Sequence, residues 1–335
     1  MSGEIKNMSR WDRLRRSGCP EQLYGVRALT LADGRARGCA LWEAETGGGL
    51  TVDVLPDCGL DLGRLRYRGV NVSFLAKNGY VGPWGYSLDE FGRNFSGGMM
   101  YTCGLMSTGM PSQDEGGRHA PHGRIHYISS EDRFCRVDEE KGELVMGGRL
   151  REAQLFGYAM QVDRTIRMPI GGSRIDIEDV ITNTTPNETE YTVLYHCNFG
   201  YPFLSEDLRM ILPEGTRTTP RTPRAAEGMD SFCSFTQPQD EFEEQVYFHN
   251  LPADEPVVRL ENRALGMGAR VEFDKAVTPV VAQWKSMAST DYALGIEPTN
   301  SFILGRSAER ENGTLARLGG FESVKTHISI ALYDL

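Results

Sequence analysis

The sequence lacks the marks of several common protein classes. No apolar run approaches the length of a membrane span. The first residues, MSGEIKNMSRWDRLRRSG, contain no apolar core of a secretory leader, so none is expected. Positive charge is in deficit: the formal net charge is -10, which argues against a nucleic-acid-binding face. Seven cysteines, at positions 19, 39, 58, 103, 135, 197 and 233, are scattered without CxxC or zinc-finger spacing. Reduced thiols in a cytoplasmic protein are therefore expected. Gly97-Gly98 is not followed by GxxxxGK[ST], so no phosphate loop is expected, and no GxSxG elbow supports a serine hydrolase. No long amphipathic helix and no strong internal repeat stand out.

What the chain does have is strand periodicity. Leu50 to Val54 alternates with period two, Pro56-Asp57-Cys58-Gly59 turns, Leu60 to Gly63 resumes, and Arg68-Gly69 turns again. Leu144 to Met146, Tyr158 to Arg167, Ser173 to Thr182 and Tyr191 to Phe199 read as further strands, with Pro169 to Gly172 as a hairpin turn. The pattern returns at Val257 to Leu260, Ala269 to Phe273, Val280 to Ser286, Tyr292 to Glu297 and Lys325 to Leu332. Short strands punctuated about every ten residues predict an all-β sandwich or barrel. Residues 1–23 read as an arm or short helix with a solvated basic run, Trp11 to Arg16. Residues 24–335 read as one domain. Pro213 to Gln245, with four prolines, reads as a long excursion with little regular structure, either a lid or a surface insertion.

The stretch Phe91 to Tyr127 stands apart. It holds three of the six histidines and seven glycines between Gly92 and Gly117. It is too broken by glycine for a helix and too long for an ordinary turn, and loops of that kind are usually functional. We expect it to wall a pocket. If Pro121 to His126 is extended, His122, Arg124 and His126 share a face suited to oxygen-rich ligands. The spacing of His119, His122 and His126 also admits a metal, but the cupin-type pair of histidines one residue apart is missing, and no metal or other cofactor is expected.

Two other places can carry proton chemistry. On the strand Thr192 to Phe199, His196 and Asn198 share a face with Leu194, while Val193, Tyr195, Cys197 and Phe199 take the other. Taken alone, His196 is better read as a satisfied core histidine. Cys197 points away from His196, so the two cannot form a nucleophile pair. In Gly295-Ile296-Glu297-Pro298, a carboxylate ends an apolar strand that Pro298 should not continue in a central ladder. Burial there would raise its pKa towards that of a general base. Taken alone, an edge salt bridge is the better reading. Trp284 with Lys285 could stack on and bind a sugar ring, although a core tryptophan accounts for the pair equally well.

Taken in order, these motifs resemble the aldose 1-epimerase (galactose mutarotase)-like superfamily, in a poorly characterised branch. The residues that carry the resemblance are Asn94 to Gly98, His122-Gly123-Arg124, Tyr195 to Asn198, Gln283-Trp284-Lys285 and Gly295 to Asn300, spread over most of the chain. The resemblance implies a large twisted antiparallel β-sandwich with few short helices and a sugar on its concave face. It implies His196 as the acid that protonates the ring oxygen and Glu297 as the base at the anomeric hydroxyl. It places His122 at the substrate, and aligns Asn94 with an Asn-Arg pair, which here is followed by Phe95 instead. His249 or Asn250 stands where typical members grip a hydroxyl with Asp.

The expected activity is interconversion of sugar anomers by general acid–base catalysis. His196 and Glu297 are catalytic. Asn94, Asp114, His122, Arg124, Asn198, His249, Trp284 and Lys285 are expected to bind the substrate. The expected partner is a small carbohydrate, with no nucleic acid or membrane, and a homodimer is left open. Two rivals remain: a carbohydrate-binding protein without turnover, and a metal-dependent sugar isomerase or lyase using the 119–126 histidines.

Overall fold

The computed structural model describes residues 2–87 and 89–335, with side chains from residue 5 onward. The chain folds as an all-β sandwich with a few short helices, as the strand periodicity predicts. Three antiparallel sheets make up most of it. A five-stranded meander runs in sequence order from Gly25–Thr30 to Val70–Asn71. An eight-stranded sheet is ordered Leu208–Ile211, Val257–Asn262, Met267–Phe273, Ser323–Asp334, Arg174–Asn183, Ala159–Pro169, Glu143–Ala153, Glu131–Asp138. A seven-stranded sheet is ordered Arg217–Pro220, Gln245–Asn250, Val280–Ala288, Asp291–Thr299, Thr189–Phe199, Ala316–Leu318, and Tyr101–Leu105 also pairs with Thr189–Phe199.

Alternation places the core between the last two sheets. Ile175, Ile177 and Ile181 point inward from one strand of the larger sheet, and Val162 and Ile166 from its neighbour. Val193, Tyr195, Cys197 and Phe199 meet them from the seven-stranded sheet. Each such side chain, fully buried, contributes about 1.5–3 kcal/mol. The opposite face of Thr189–Phe199 is buried too, in a smaller cluster with Tyr101, Cys103, Leu194, Val246, Phe248, Ala282 and Ile303. That second face carries the site.

Several local expectations are corrected. Leu50–Leu55 is buried on both faces rather than half-buried, because Tyr80 covers the outer side and its hydroxyl donates to the Asp53 carboxylate. Phe91 to Tyr127 is not one loop. It holds a one-turn helix Phe91–Asn94, the buried strand Tyr101–Leu105 and a small hairpin, Ser112–Asp114 with Gly117–His119. The 213–245 excursion contains a strand, Arg217–Pro220, and a short helix, Pro223–Glu227, capped by the Thr222 hydroxyl. The strand Asp291–Thr299 runs through Pro298. Its other edge pairs continuously with Val280–Ala288, while bridges to the histidine strand lapse at the step where the missing N–H of Pro298 would fall.

The basic N-terminal run is the helix Arg10–Ser17, capped by Ser9. It is not simply a solvated face. Arg13 is buried and donates to the Tyr24 hydroxyl and to Glu139, each at 3.1 Å, which docks the segment on the larger sheet. The first position of the expected 1–23 arm lies outside the described residues.

Candidate active site

The antiparallel registers assemble the site as two rows across the seven-stranded sheet. One row runs Phe248, Ala282, Glu297, with His196 opposite Glu297 in the same register and Tyr101 beyond it. The next runs Val246, Trp284, Gly295, Asn198. Residues paired across neighbouring strands project to the same face. His196 and Glu297, about a hundred positions apart in sequence, are therefore cross-strand neighbours.

His196 Nε2 lies 3.2 Å from Glu297 Oε1. The approach is not aligned as a hydrogen bond, and Glu297 Oε1 and His196 Nδ1 both lack a hydrogen-bond partner. Both residues are buried, at 6% and 2% exposure. Burial raises the Glu297 carboxyl well above its ordinary value, helped by the charge of Glu244 and opposed by Arg221. Burial also lowers the His196 imidazole well below its ordinary value, with the His122 ring acting in the same direction. Burial therefore favours the uncharged form of each, a protonated Glu297 carboxyl beside a neutral His196 ring.

Gly295 makes this approach possible. A Cβ there would lie 2.5 Å from Glu297 Oε1 and 3.1 Å from His196 Cε1. His122 reaches the pair from the neighbouring loop, its ring 6.0 Å from that of His196. It has φ +59, in the left-handed region, and Gly123 follows at +73. A Cβ on Gly123 would meet the Gly104 and Ser107 carbonyls at 2.3 and 2.6 Å, so glycine is required for the turn that aims His122. Burial pushes the His122 imidazole down to about 4, and its Nδ1 has no partner. Phe91, Phe95 and Trp284 surround these rings at 5.0 to 5.6 Å, and the Trp284 indole N–H donates to Glu244.

Other expected site residues are elsewhere. The segment 121–126 is not extended, so His122, Arg124 and His126 diverge. Arg124 lies over the Tyr86 ring at 4.6 Å and lines a small cavity with Glu152 and Tyr158. His126 is buried, stacked on Tyr101 at 3.8 Å and bonded to Asp61. His119 bonds to Asp114, which pairs with Arg306 and Arg310. Asp114 is thus an ion-network residue, held down to about 2 by His119 and Arg310 against the desolvation that would raise it. The three histidines form no common ligand set, which removes the geometric basis of the metal-dependent reading.

His249 and Lys285 project from the sheet face opposite to His196, one residue out of phase with Phe248 and Trp284. His249 is fully buried between the Thr218 hydroxyl and Gln283, and Lys285 donates to the Ser231 carbonyl. Neither is free to grip a ligand at the pair. Asn94 accepts from Arg35 and abuts Gly85 rather than the pair. Asn198 shares the site face, but its amide donates to the carbonyls of Gly98 and His196, so it fastens the loop beside the pair. Sequence reasoning missed Gly295 as a spacing residue and the aromatic wall of Phe91 and Phe95. It also missed Arg35 as the partner of Asn94, whose sequence separation gives no local signal.

A large cleft elsewhere on the molecule does not contain this pair. It measures about 1130 Å³ and is lined by Asp114, Glu190, Arg306, Arg310 and Arg317, among others. Size alone favours that cleft. The perturbed and unpartnered groups favour the His196–Glu297 site, and a chemical site is recognised by such groups.

The antiparallel β-sandwich is similar in fold to solved galactose mutarotase-like proteins. The chain belongs to the family described as Domain of unknown function (DUF4432), whose model matches residues 36–332. No curated protein matches the sequence at a significant level. Among solved structures, a "putative aldose 1-epimerase" from Klebsiella pneumoniae subsp. pneumoniae is 24% identical with a TM-score of 0.87, over 92% of this chain and 83% of that one. A galactose mutarotase-like protein from Clostridium acetobutylicum is 12% identical with a TM-score of 0.63, over 94% of this chain and 100% of that one. A galactose 1-epimerase from Lactobacillus acidophilus is 12% identical with a TM-score of 0.62, over 93% and 99%. At these identities the likeness is one of fold. No helix among the described residues is long and apolar enough to cross a membrane.

Proposed function

We propose that the chain is an aldose 1-epimerase-like isomerase acting on a carbohydrate, with His196 and Glu297 as its acid–base pair. One observation carries the reading: two buried, oppositely perturbed groups face each other across adjacent strands with unpartnered atoms between them. Anomer exchange needs that inventory. Ring opening starts once the proton that burial keeps on Glu297 has passed to His196: a proton then leaves the anomeric hydroxyl for Glu297 while His196 delivers one to the ring oxygen, which returns the pair to the protonation its burial favours. The ring C–O bond breaks, the anomeric C–O becomes a carbonyl, and rotation followed by the reverse steps closes the other anomer. The proton count of the pair is unchanged over the cycle. His122 Nδ1, lacking a partner, supplies a donor or acceptor to a sugar hydroxyl, and Phe95 and Trp284 offer apolar faces to the ring.

General acid–base groups contribute about 100- to 10,000-fold to rate. Glu297→Gln should therefore slow anomer exchange at least about 100-fold for whichever sugar is turned over. Exchange NMR across a panel of aldoses reads this directly. Equal rates in the two proteins would remove Glu297 from the mechanism. Carbohydrate binding without turnover is the second reading, favoured by the closeness of the aromatic walls to the pair. It would show as calorimetric binding with no rate enhancement for any sugar.

A further inference from the structure

We infer that the substrate of this site carries an anionic group, carboxylate or phosphate, which Arg221 receives at the edge of the sheet. The inference rests on the functional reading above and extends it to substrate class. Arg221 continues the edge strand Arg217–Pro220: its N–H donates to the Val246 carbonyl at 2.9 Å. The pairing of Pro220 with Tyr247 then sets Arg221 opposite Val246. Val246 pairs with Trp284, and Trp284 with Gly295, so Arg221 heads the row that ends beside His196 and Glu297. Paired residues share a face, so its side chain belongs to the site face, on the far side of Trp284 from the pair.

Its charge is uncommitted. Among the described residues Arg221 has no ion pair and no side-chain hydrogen bond, whereas its neighbour Arg224 pairs with Glu227 and lies over Phe242. The positive charge is nevertheless felt by both His122 and Glu297. A partly exposed arginine free of partners would ordinarily be surface. Here it stands at the end of a row of site residues, and a planar guanidinium is suited to bind carboxylate or phosphate in bidentate fashion. A sugar with its anomeric carbon at the His196–Glu297 pair and its ring against Trp284 would extend its far end towards Arg221.

Glu244 is the opposing feature. Its carboxylate is exposed and accepts the Trp284 indole N–H, so it fixes the tryptophan and also repels an incoming anion. This gives a second lever: Glu244→Gln keeps an acceptor for the indole and removes the repulsion.

The test uses the full chain and compares neutral hexoses, hexose 6-phosphates and hexuronic acids, by anomer-exchange NMR and by calorimetric binding. An anionic sugar should bind at least about tenfold more tightly than its neutral parent. Arg221→Gln should raise KM for the anionic sugar about tenfold while kcat moves little, Arg221→Lys should recover part of the loss, and Glu244→Gln should lower KM. Better binding of the phosphate or of the uronic acid identifies which anion is used. Equal affinity for neutral and anionic sugars, or indifference of KM to Arg221→Gln, overturns the inference and leaves the epimerase reading standing. Anionic binding that depends on Arg221 without any anomer exchange upholds the inference and overturns the epimerase reading. No binding of any anionic sugar overturns the inference.

Discussion

At the scale of single residues, the position of the pair was legible and its surroundings were not. Period-two alternation placed His196 on a defined face, and the Gly-Ile-Glu-Pro run marked Glu297. Alternation also separates Trp284 from Lys285 and Phe248 from His249, and ignoring it puts buried partners of the opposite face into the pocket. Gly295 is invisible as a functional residue without the register. Gly295→Ala should cost at least about tenfold in kcat, because a displacement of reacting groups by about 1 Å is expensive. Its φ is ordinary, so any loss of stability comes from crowding against Glu297 and the Trp284 Cβ, about 1–3 kcal/mol, and equal activity in both proteins would show that the pair tolerates a wider approach. His249 gives a separate prediction in stability. Its folded pKa is lowered to about 4 by burial, below the ordinary 6.5, with a hydrogen bond to Gln283 opposing the shift. Between those values the unfolded chain binds a proton that the folded chain refuses, so stability falls as pH drops from 6.5 towards 4. The loss from this one group is on the order of 3 kcal/mol at the acid end. His249→Gln should flatten that limb, read from urea midpoints at pH 7 and pH 4.5, and parallel losses in the two proteins would assign the limb to other groups.

At the scale of elements, most strands were legible because turns of Gly, Pro and Asp separate them, and most misses have tertiary causes. Tyr101–Leu105 lies among glycines and reads as loop, yet it becomes a strand because Thr189–Phe199 offers it a ladder. The polar node behind the site could not be read at all. Arg164, fully buried on Ala159–Pro169, donates to Asp179 at 2.7 and 2.8 Å, to Asp61 at 2.9 Å and to the Gly59 carbonyl. Asp61 also takes the N–H and hydroxyl of Thr102 and contacts His126, and Asp179 takes the Tyr195 hydroxyl. These bonds join all three sheets directly behind His196, since Tyr195 is its neighbour on the opposite face. A buried cation between two carboxylates costs desolvation, and its removal leaves two uncompensated charges. Arg164→Met should therefore destabilise the protein by about 3–5 kcal/mol, read by urea unfolding. A loss below about 1 kcal/mol would mean that the carboxylates neutralise themselves by taking up protons.

At the scale of the whole molecule, the sandwich was legible from the spacing of turns, whereas the behaviour of the 213–245 excursion was not. Its composition suits either a mobile lid or a loose insertion. Its contacts argue for a clamp. The Phe232 carbonyl accepts from Gln283, the Ser231 carbonyl accepts from Lys285, and Phe235 is buried in the main core. Gln283 in turn holds His249, so the excursion seals the core-side face of the sheet whose other face bears the pair. The N-terminal segment is tied down similarly through Arg13, Tyr24 and Glu139. We propose that residues 24–335 are one cooperative domain that includes the excursion. Heat should then unfold the chain in a single transition with calorimetric and van't Hoff enthalpies in agreement. Dilute protease should cut within 213–245 no faster than global unfolding allows, because local opening would have to expose Phe235 and leave Lys285 and Gln283 unpaired. Rapid cleavage there in native buffer, with the remainder still folded, would show instead that the excursion opens independently.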